Sequence, residues 1–172
     1  MFLSVHEMEL RKVRFDRTFP PGEIQFLDGK LWQAGPLRAT GSAEVLPNTG
    51  GEIRIVGRVE VRMAAECDRC LERAEHPVGV DFDLFYEPAR SGPEGSEIAL
   101  DAGESEVDFY EGEGLELENV LREQILLALP MQRICREDCK GICPVCGQNR
   151  NQAECGCQPK TTDDRWAALR NL

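Results

Sequence analysis

The residues in this chain most able to do chemistry are its eight cysteines, and their spacing is that of metal ligands. Six fall as Cys135-x3-Cys139-x3-Cys143-x2-Cys146 followed by Cys155-x1-Cys157, and two lie far upstream in Cys67-Asp68-Arg69-Cys70. Thiolates are what a closed, tetrahedral structural zinc site accepts. A two-residue gap lets both sulfurs of a pair reach one ion. The most specific piece is Cys143-Pro144-Val145-Cys146-Gly147, whose glycine can take a left-handed or cramped backbone position beside the second ligand. The stretch 135–157 has too few apolar residues to build a core of its own, so its folding is expected to be coupled to metal.

The thiols divide in three ways. One four-thiolate site could combine Cys67 and Cys70 with Cys143 and Cys146. One could be local to the tail, drawn from Cys139, Cys143, Cys146 and either Cys155 or Cys157. Two sites could consume all eight. The single residue inside Cys155-Gly156-Cys157 makes a tighter chelate than a two-residue gap, and Cys135 stands outside the densest part, as a spare thiol or a second-site ligand. The expected cofactor is one or two Zn2+, held among Cys67, Cys70, Cys139, Cys143, Cys146, Cys155 and Cys157.

Competing chemistries find less support. A catalytic zinc keeps an open position and borrows an acid or histidine, whereas His6 and His76 are the only histidines and neither has ligand spacing. Disulfide exchange wants a CxxC at a helix start after a βαβ pattern, but Gln148-Asn149-Arg150-Asn151-Gln152 reads as a turn. Spacing alone does not separate iron–sulfur clusters from zinc. There is no phosphate-cradling glycine loop, nucleophile elbow or dinucleotide fingerprint. The reading is a non-enzymatic protein without a small-molecule substrate.

Period-two patterning supplies the elements that would position these thiols. Ile53, Ile55, Gly57, Val59, Val61 and Met63 alternate with mostly charged residues, and Val78, Val80, Phe82 and Leu84 resume the period. Paired antiparallel over 53–84, these strands would carry Cys67 and Cys70 at the tip of their connection. An opening strand is suggested from Met8-Glu9-Leu10 onwards, and Pro47 to Gly51 is a turn signal. Glu87 to Gly114 reads as a long solvated loop with a short ordered patch. Leu117, Val120, Leu121, Ile125 and Ala128 recur at helical spacing, so 115–130 is a helix stopped by Pro130, its widened apolar face laid across the sheet. A last short helix would follow Thr162. The expected fold is α+β: a β-rich antiparallel sheet, a packing helix and the cysteine-rich segment 135–157, in a single domain over 1–172.

At 172 residues, a globule of this size buries roughly 70% of its extended-chain surface, so metal need not be its sole support. The formal charge of -11 at pH 7 repels phosphate on average. The basic residues Arg54, Arg58 and Arg62, spaced along one strand, form a weak candidate stripe for RNA. No apolar run approaches the ~20 residues needed to span a bilayer, and Met1 to Leu10 is too short and polar for a signal peptide. Reduced thiols in a cytoplasm, with no membrane partner, are expected.

Three ordered motifs carry a family resemblance: Glu66-Cys67-Asp68-Arg69-Cys70-Leu71, then Arg122-Glu123-Gln124-Ile125-Leu126-Leu127-Ala128-Leu129-Pro130, then Cys139-Lys140-Gly141-Ile142-Cys143-Pro144-Val145-Cys146-Gly147-Gln148-Asn149. In these, and in the ending Asp164-Arg165-Trp166-Ala167-Ala168-Leu169, the chain resembles the YceD family of bacterial and plastid proteins from about Val45 onwards. That family is linked to accumulation of large-subunit (23S) ribosomal RNA. The resemblance implies a cytoplasmic, non-enzymatic factor for ribosome biogenesis that binds metal and nucleic acid. Its cysteine pairs carry over onto Cys67 and Cys70 and onto Cys143 and Cys146, with Cys139, Cys155 and Cys157 as additions. The partner implied is large-subunit rRNA or a ribosomal protein. The alternative is a protein-interaction module that binds a basic ribosomal partner without touching RNA.

Overall fold

The alternation that begins at Ile53 becomes two long neighbouring strands, and the rest of the sheet is arranged about them. In a computed structural model that describes residues 1–26, 28–89 and 107–158, the elements in chain order are β1 (Phe2–Ser4), α1 (Val5–Leu10), β2 (Val13–Phe19), β3 (Leu31–Gln33), β4 (Leu37–Val45), β5 (Ile53–Glu66), β6 (Arg73–Pro88), β7 (Val107–Tyr110), β8 (Gly114–Glu116) and α2 (Leu117–Ala128). The architecture is α+β. The chain divides into two units, one of Met1–Ala64 with Glu75–Met131 and one of Ala65–Ala74 with Gln132–Leu172.

In the first unit the main sheet has the order β2-β4-β5-β6-β7, with β3 also paired to β5. β2 and β4 are antiparallel from Val13↔Ala43 to Phe19↔Leu37, and β4 and β5 are antiparallel from Arg38↔Glu60 to Val45↔Ile53. The connection between β5 and β6 is too short for a parallel crossover, so they form a hairpin. One departure from an all-antiparallel sheet is β7, which runs parallel to β6 with Phe85 opposite Val107. A separate antiparallel pair joins β1 to β8.

The buried face of β5 carries Ile53, Ile55, Val59, Val61 and Met63, the residues that the period-two pattern selects, and Ala39, Ala43, Phe15 and Phe82 share this core. Gly41 and Gly57 lie opposite each other in the β4–β5 register. A Cβ on Gly41 would come within 2.6 Å of Phe15 Cζ, and one on Gly57 within 2.7 Å of Phe82 Cζ, so two rings occupy the space these glycines leave. α2 buries Leu117, Val120, Leu121 and Ile125, one stripe at three- and four-residue spacing.

Three expectations change. Met8 to Leu10 lie in α1, not in an opening strand; Met8 is buried, and the extended chain begins at Val13. The segment 87–114 holds more strand than the short ordered patch expected: that patch is β7, while β6 continues to Pro88 and β8 starts at Gly114; residues 90–106 lie outside the described residues. The apolar face of α2 is narrower than Ile125 to Leu129 suggests, because Leu126 and Leu127 are exposed. The helix expected after Thr162, with the ending Asp164 to Leu169, also lies outside the described residues. Among the described residues no helix is long and apolar enough to cross a membrane.

Candidate metal centre

The second unit is built from the same turn used twice. At the tip of the β5–β6 hairpin, Cys67 N–H donates to Glu72 O at 2.7 Å and Leu71 N–H to Cys67 O at 2.9 Å. In the tail, Cys143 N–H donates to Gln148 O at 2.8 Å and Gly147 N–H to Cys143 O at 2.9 Å. Each turn holds its CxxC pair on one side of a tight loop. Each also places the residue after the second cysteine in the left-handed region, Leu71 at φ 64° and Gly147 at φ 75°. The second turn is extended by the bridge Ile142↔Asn149 and by Arg150 N–H to Gly141 O at 2.9 Å.

Only the tail turn has the residue that this backbone prefers. Leucine in the left-handed region costs roughly 1–2 kcal/mol, and Leu71 is 56% exposed, so little burial offsets that cost. Leu71→Gly is therefore expected to stabilise the second unit by about 1 kcal/mol. Gly147→Leu should do the reverse. Urea denaturation of both metal-loaded variants checks the pair of signs.

The two turns are stitched to the chain between them. Asp68 N–H donates to Arg133 O at 2.8 Å, and Arg133 N–H returns to Asp68 Oδ2 at 2.6 Å. Ile142 N–H donates to Arg69 O at 2.8 Å, and a Cβ on Gly141, at φ +69°, would lie 2.8 Å from the same oxygen. Glycine at 141 is thus what allows the tail to approach the hairpin tip.

This stitching sorts the eight thiols into two fours. Cys67, Cys70, Cys135 and Cys139 form one cluster and Cys143, Cys146, Cys155 and Cys157 the other, with the sulfurs of each within 4.8 Å of one another. None is in a disulfide. In the first cluster Cys67 Sγ is 3.9 Å from Cys139 Sγ, and Cys70 Sγ is 3.7 Å from Cys135 Sγ. Four sulfurs on a tetrahedron with Zn–S bonds of ~2.3 Å are ~3.8 Å apart, so the first cluster has the spacing that the ion requires. Cys67, Cys70 and Cys139 are buried with Ala74, and Ile134 and Cys135 pack against them. The second cluster is more open: Cys143 is buried, Cys155 half-buried, and Cys146 and Cys157 exposed.

N–H donors aimed at sulfur favour the anionic form that a metal needs. Cys135 N–H reaches Cys67 Sγ at 3.3 Å, the Asn151 side-chain amide reaches Cys139 Sγ at 3.4 Å, and Val145 N–H reaches Cys143 Sγ at 3.4 Å. At Cys67 burial opposes ionisation, but backbone N–H groups of Arg69, Cys70 and Cys135 outweigh it and bring the thiol down to about 6. At Cys143 the backbone N–H groups of Cys146 and Val145 do the same, again to about 6. Burial and the neighbouring thiols push Cys135 up to about 12, and Cys146 beside it, with burial, pushes Cys157 up to about 12. Four thiolates cannot share so small a space without a cation.

A pH dependence follows. At pH 7 Cys67 and Cys143 are largely ionised, whereas Cys70, raised by burial, and Cys135 in the first cluster, and Cys155, raised by Cys143, and Cys157 in the second, hold protons that a bound ion must displace. Zinc binding is expected to release on the order of two protons per ion at pH 7, and the apparent affinity to fall as pH falls. Titration calorimetry in two buffers of different ionisation enthalpy measures the number; no release would contradict the ligand assignment.

Cys135, left out of the seven expected ligands but offered as a spare thiol or a second-site ligand, thus belongs to the first cluster, and the clusters follow the division that uses all eight thiols. The structure does not bring Cys67 and Cys70 together with Cys143 and Cys146. Each CxxC pair meets a less conspicuous pair instead, and Cys155 and Cys157 both belong to the second cluster. The Arg54, Arg58 and Arg62 stripe lies in the first unit and faces carboxylates. Arg54 donates to both oxygens of Asp83 at 2.8 and 2.6 Å, Arg58 to Glu60 at 2.9 Å and Asp81 at 2.7 Å, and Arg62 lies 4.0 Å from Glu75.

Comparison with known proteins places this geometry among relatives. The profile of the family described as "Large ribosomal RNA subunit accumulation protein YceD" matches residues 55–172, which contain both clusters. An uncharacterised protein of Mycobacterium tuberculosis is 33% identical over 118 residues, which is 68% of this chain and 54% of that protein. A maize protein described as "Large ribosomal RNA subunit accumulation protein YCED homolog 1, chloroplastic" is 27% identical over 134 residues, 64% of this chain and 45% of its own. The chain thus spans about half the length of these two relatives. YlbN of Bacillus subtilis, also uncharacterised, is 23% identical over 173 residues and matches nearly end to end, 98% of this chain and 92% of its own. No solved structure matches the chain.

Proposed function

The chain belongs to the YceD family, a family of non-catalytic accessory factors, and from that premise we propose that it supports accumulation of large-subunit (23S) ribosomal RNA and assembly of the large ribosomal subunit, with a structural zinc in each thiol cluster. The observation that carries this reading is that the family match covers the whole of both clusters. Zinc is favoured over oxygen-preferring metals because both ligand sets are all thiolate, which suits a closed structural zinc site. Bound there, the ion neutralises thiolate charge and fixes the two turns. We place the protein in the cytoplasm, where free thiols persist.

Contact with RNA through Arg54, Arg58 and Arg62 would have to exchange the carboxylates of Asp83, Asp81, Glu60 and Glu75 for phosphates. That pairing favours a second reading, a module that binds a basic ribosomal protein. A groove of about 890 Å³ in the first unit, lined in part by Glu9, Glu111 and Glu113, would suit such a partner. The two readings separate in one experiment: binding of the metal-loaded protein to a large-subunit rRNA fragment and to basic ribosomal proteins, each across a salt series. Salt-dependent RNA binding lost on charge reversal of Arg54, Arg58 and Arg62 supports direct contact. Binding to a basic protein alone supports the second reading, and binding to neither overturns both.

A further inference from the structure

We infer that Cys146 and Cys157 form an oxidation-sensitive release point, through which a hydroperoxide discharges the ion of the second cluster while the first cluster keeps its own. The inference rests on the reading that both clusters hold zinc, and it adds to that reading a difference between them.

The difference is one of access. In the first cluster Cys67 is 0%, Cys70 4% and Cys139 5% exposed, and Ala74, Ile134 and Cys135 close around them. In the second cluster one thiol of each chelating pair is exposed, Cys146 from the turn and Cys157 from the strand of chain that completes the site. Oxidation of a thiolate follows its exposure to the oxidant. The two exposed sulfurs are also mutual partners, lying within 4.8 Å of each other.

The remaining gap to a disulfide of ~2.05 Å is closed from the Cys157 side, since the turn that carries Cys146 is held by its own hydrogen bonds. Gly156, beside Cys157, has open space where a Cβ would stand. Residues 153–158 have no regular secondary structure; Ala153 N–H donates to Asn149 O at 3.2 Å and exposed Glu154 lies 3.8 Å from Lys140. The first cluster has no such latitude, because Arg133 and Ile142 N–H groups and the Gly141 approach tie its turn in place.

The chemistry balances as follows. The Cys146 thiolate attacks one oxygen of the hydroperoxide; the O–O bond breaks, the leaving oxygen departs as hydroxide or alkoxide, and sulfur becomes sulfenic acid. The Cys157 thiolate then attacks that sulfur, an S–S bond forms, and hydroxide leaves. Two thiolates have lost two electrons to one peroxide, the released oxygens take up protons from water, and Zn2+, left with two thiolate ligands, dissociates.

The test uses full-length protein loaded with two zinc ions, treated with hydrogen peroxide and followed by a chromogenic zinc indicator, native mass spectrometry and disulfide mapping. The expected result is release of one zinc equivalent at least ~10-fold faster than the other, with a Cys146–Cys157 disulfide and recovery of the second ion after dithiothreitol and zinc. Cys157→His keeps four ligands and removes the resolving thiol, and is expected to slow release and leave sulfenic acid on Cys146. Loss of both ions together, earlier loss from the first cluster, or two ions that both resist peroxide would overturn the inference while leaving zinc binding intact. Failure of the starting protein to hold two zinc ions would instead overturn the underlying reading and this inference with it.

Discussion

Cys139→Ser is expected to remove one of two zinc equivalents and to unravel the stitching of the second unit. Cys139 is buried in the first cluster, its sulfur 3.9 Å from Cys67. Its carbonyl also accepts from Arg69 Nη1 at 3.3 Å, in the turn that holds Cys67 and Cys70. Structural zinc contributes on the order of 10–16 kcal/mol to the folding of small thiolate sites, far more than any single packing contact here. Loss of one ligand should therefore weaken zinc at this cluster by well over the ~100-fold typical of outer-sphere changes. The sheet has its own buried face of Ile53, Ile55, Val59 and Met63 and should keep its β signal by circular dichroism. Limited proteolysis should move to 132–157. Two zinc ions retained in Cys139→Ser would contradict the cluster assignment.

The second large effect lies in the sheet. A Cβ on Gly41 would stand 2.3 Å from Val56 O, 2.7 Å from Gly57 Cα and 2.6 Å from Phe15 Cζ. Two of these atoms are backbone of the paired strand, so relief requires opening the β4–β5 ladder or displacing a buried ring. Overpacking usually costs ~1–3 kcal/mol, and backbone overlap puts Gly41→Ala at the upper end, about 3 kcal/mol. In a chain of this length that lowers the melting temperature by roughly 6–12 °C. Gly35→Ala, with nothing within 4 Å of its added Cβ, should leave the melting temperature nearly unchanged and serves as the control.

Elements whose sequence period and burial agree are readable without coordinates. β5, β6 and α2 fall where alternation and the Leu117, Val120, Leu121, Ile125 stripe place them. α1 escapes because six residues with one buried side chain, Met8, leave almost no helical period. β7 is legible only as a short ordered patch, because its four residues, Val107 to Tyr110, sit in acidic sequence and nothing local announces their parallel pairing with β6.

The same limit governs the sites. Spacing identifies Cys67 with Cys70 and Cys143 with Cys146 as chelating pairs, but it does not say which second pair each will meet. That is decided by the approach of Gly141 to Arg69 and by the Asp68–Arg133 exchange, which bring Cys135 and Cys139 to the hairpin tip. The arginine stripe illustrates the point in reverse. Its cations are visible along one strand, while the Asp81 and Asp83 carboxylates that answer them stand opposite only once the β5–β6 register exists.

The central claim, two separate four-thiolate zinc sites, is tested most directly by counting zinc per chain in native mass spectra of protein purified under reducing conditions, alongside the Cys67→Ser/Cys70→Ser and Cys155→Ser/Cys157→Ser double variants. The expected counts are two in the parent and one in each variant, since each variant disables one cluster and leaves the other's four thiols intact. A parent with a single ion that both double variants abolish would mean that the clusters are not separate sites, and a parent without metal would contradict the account altogether.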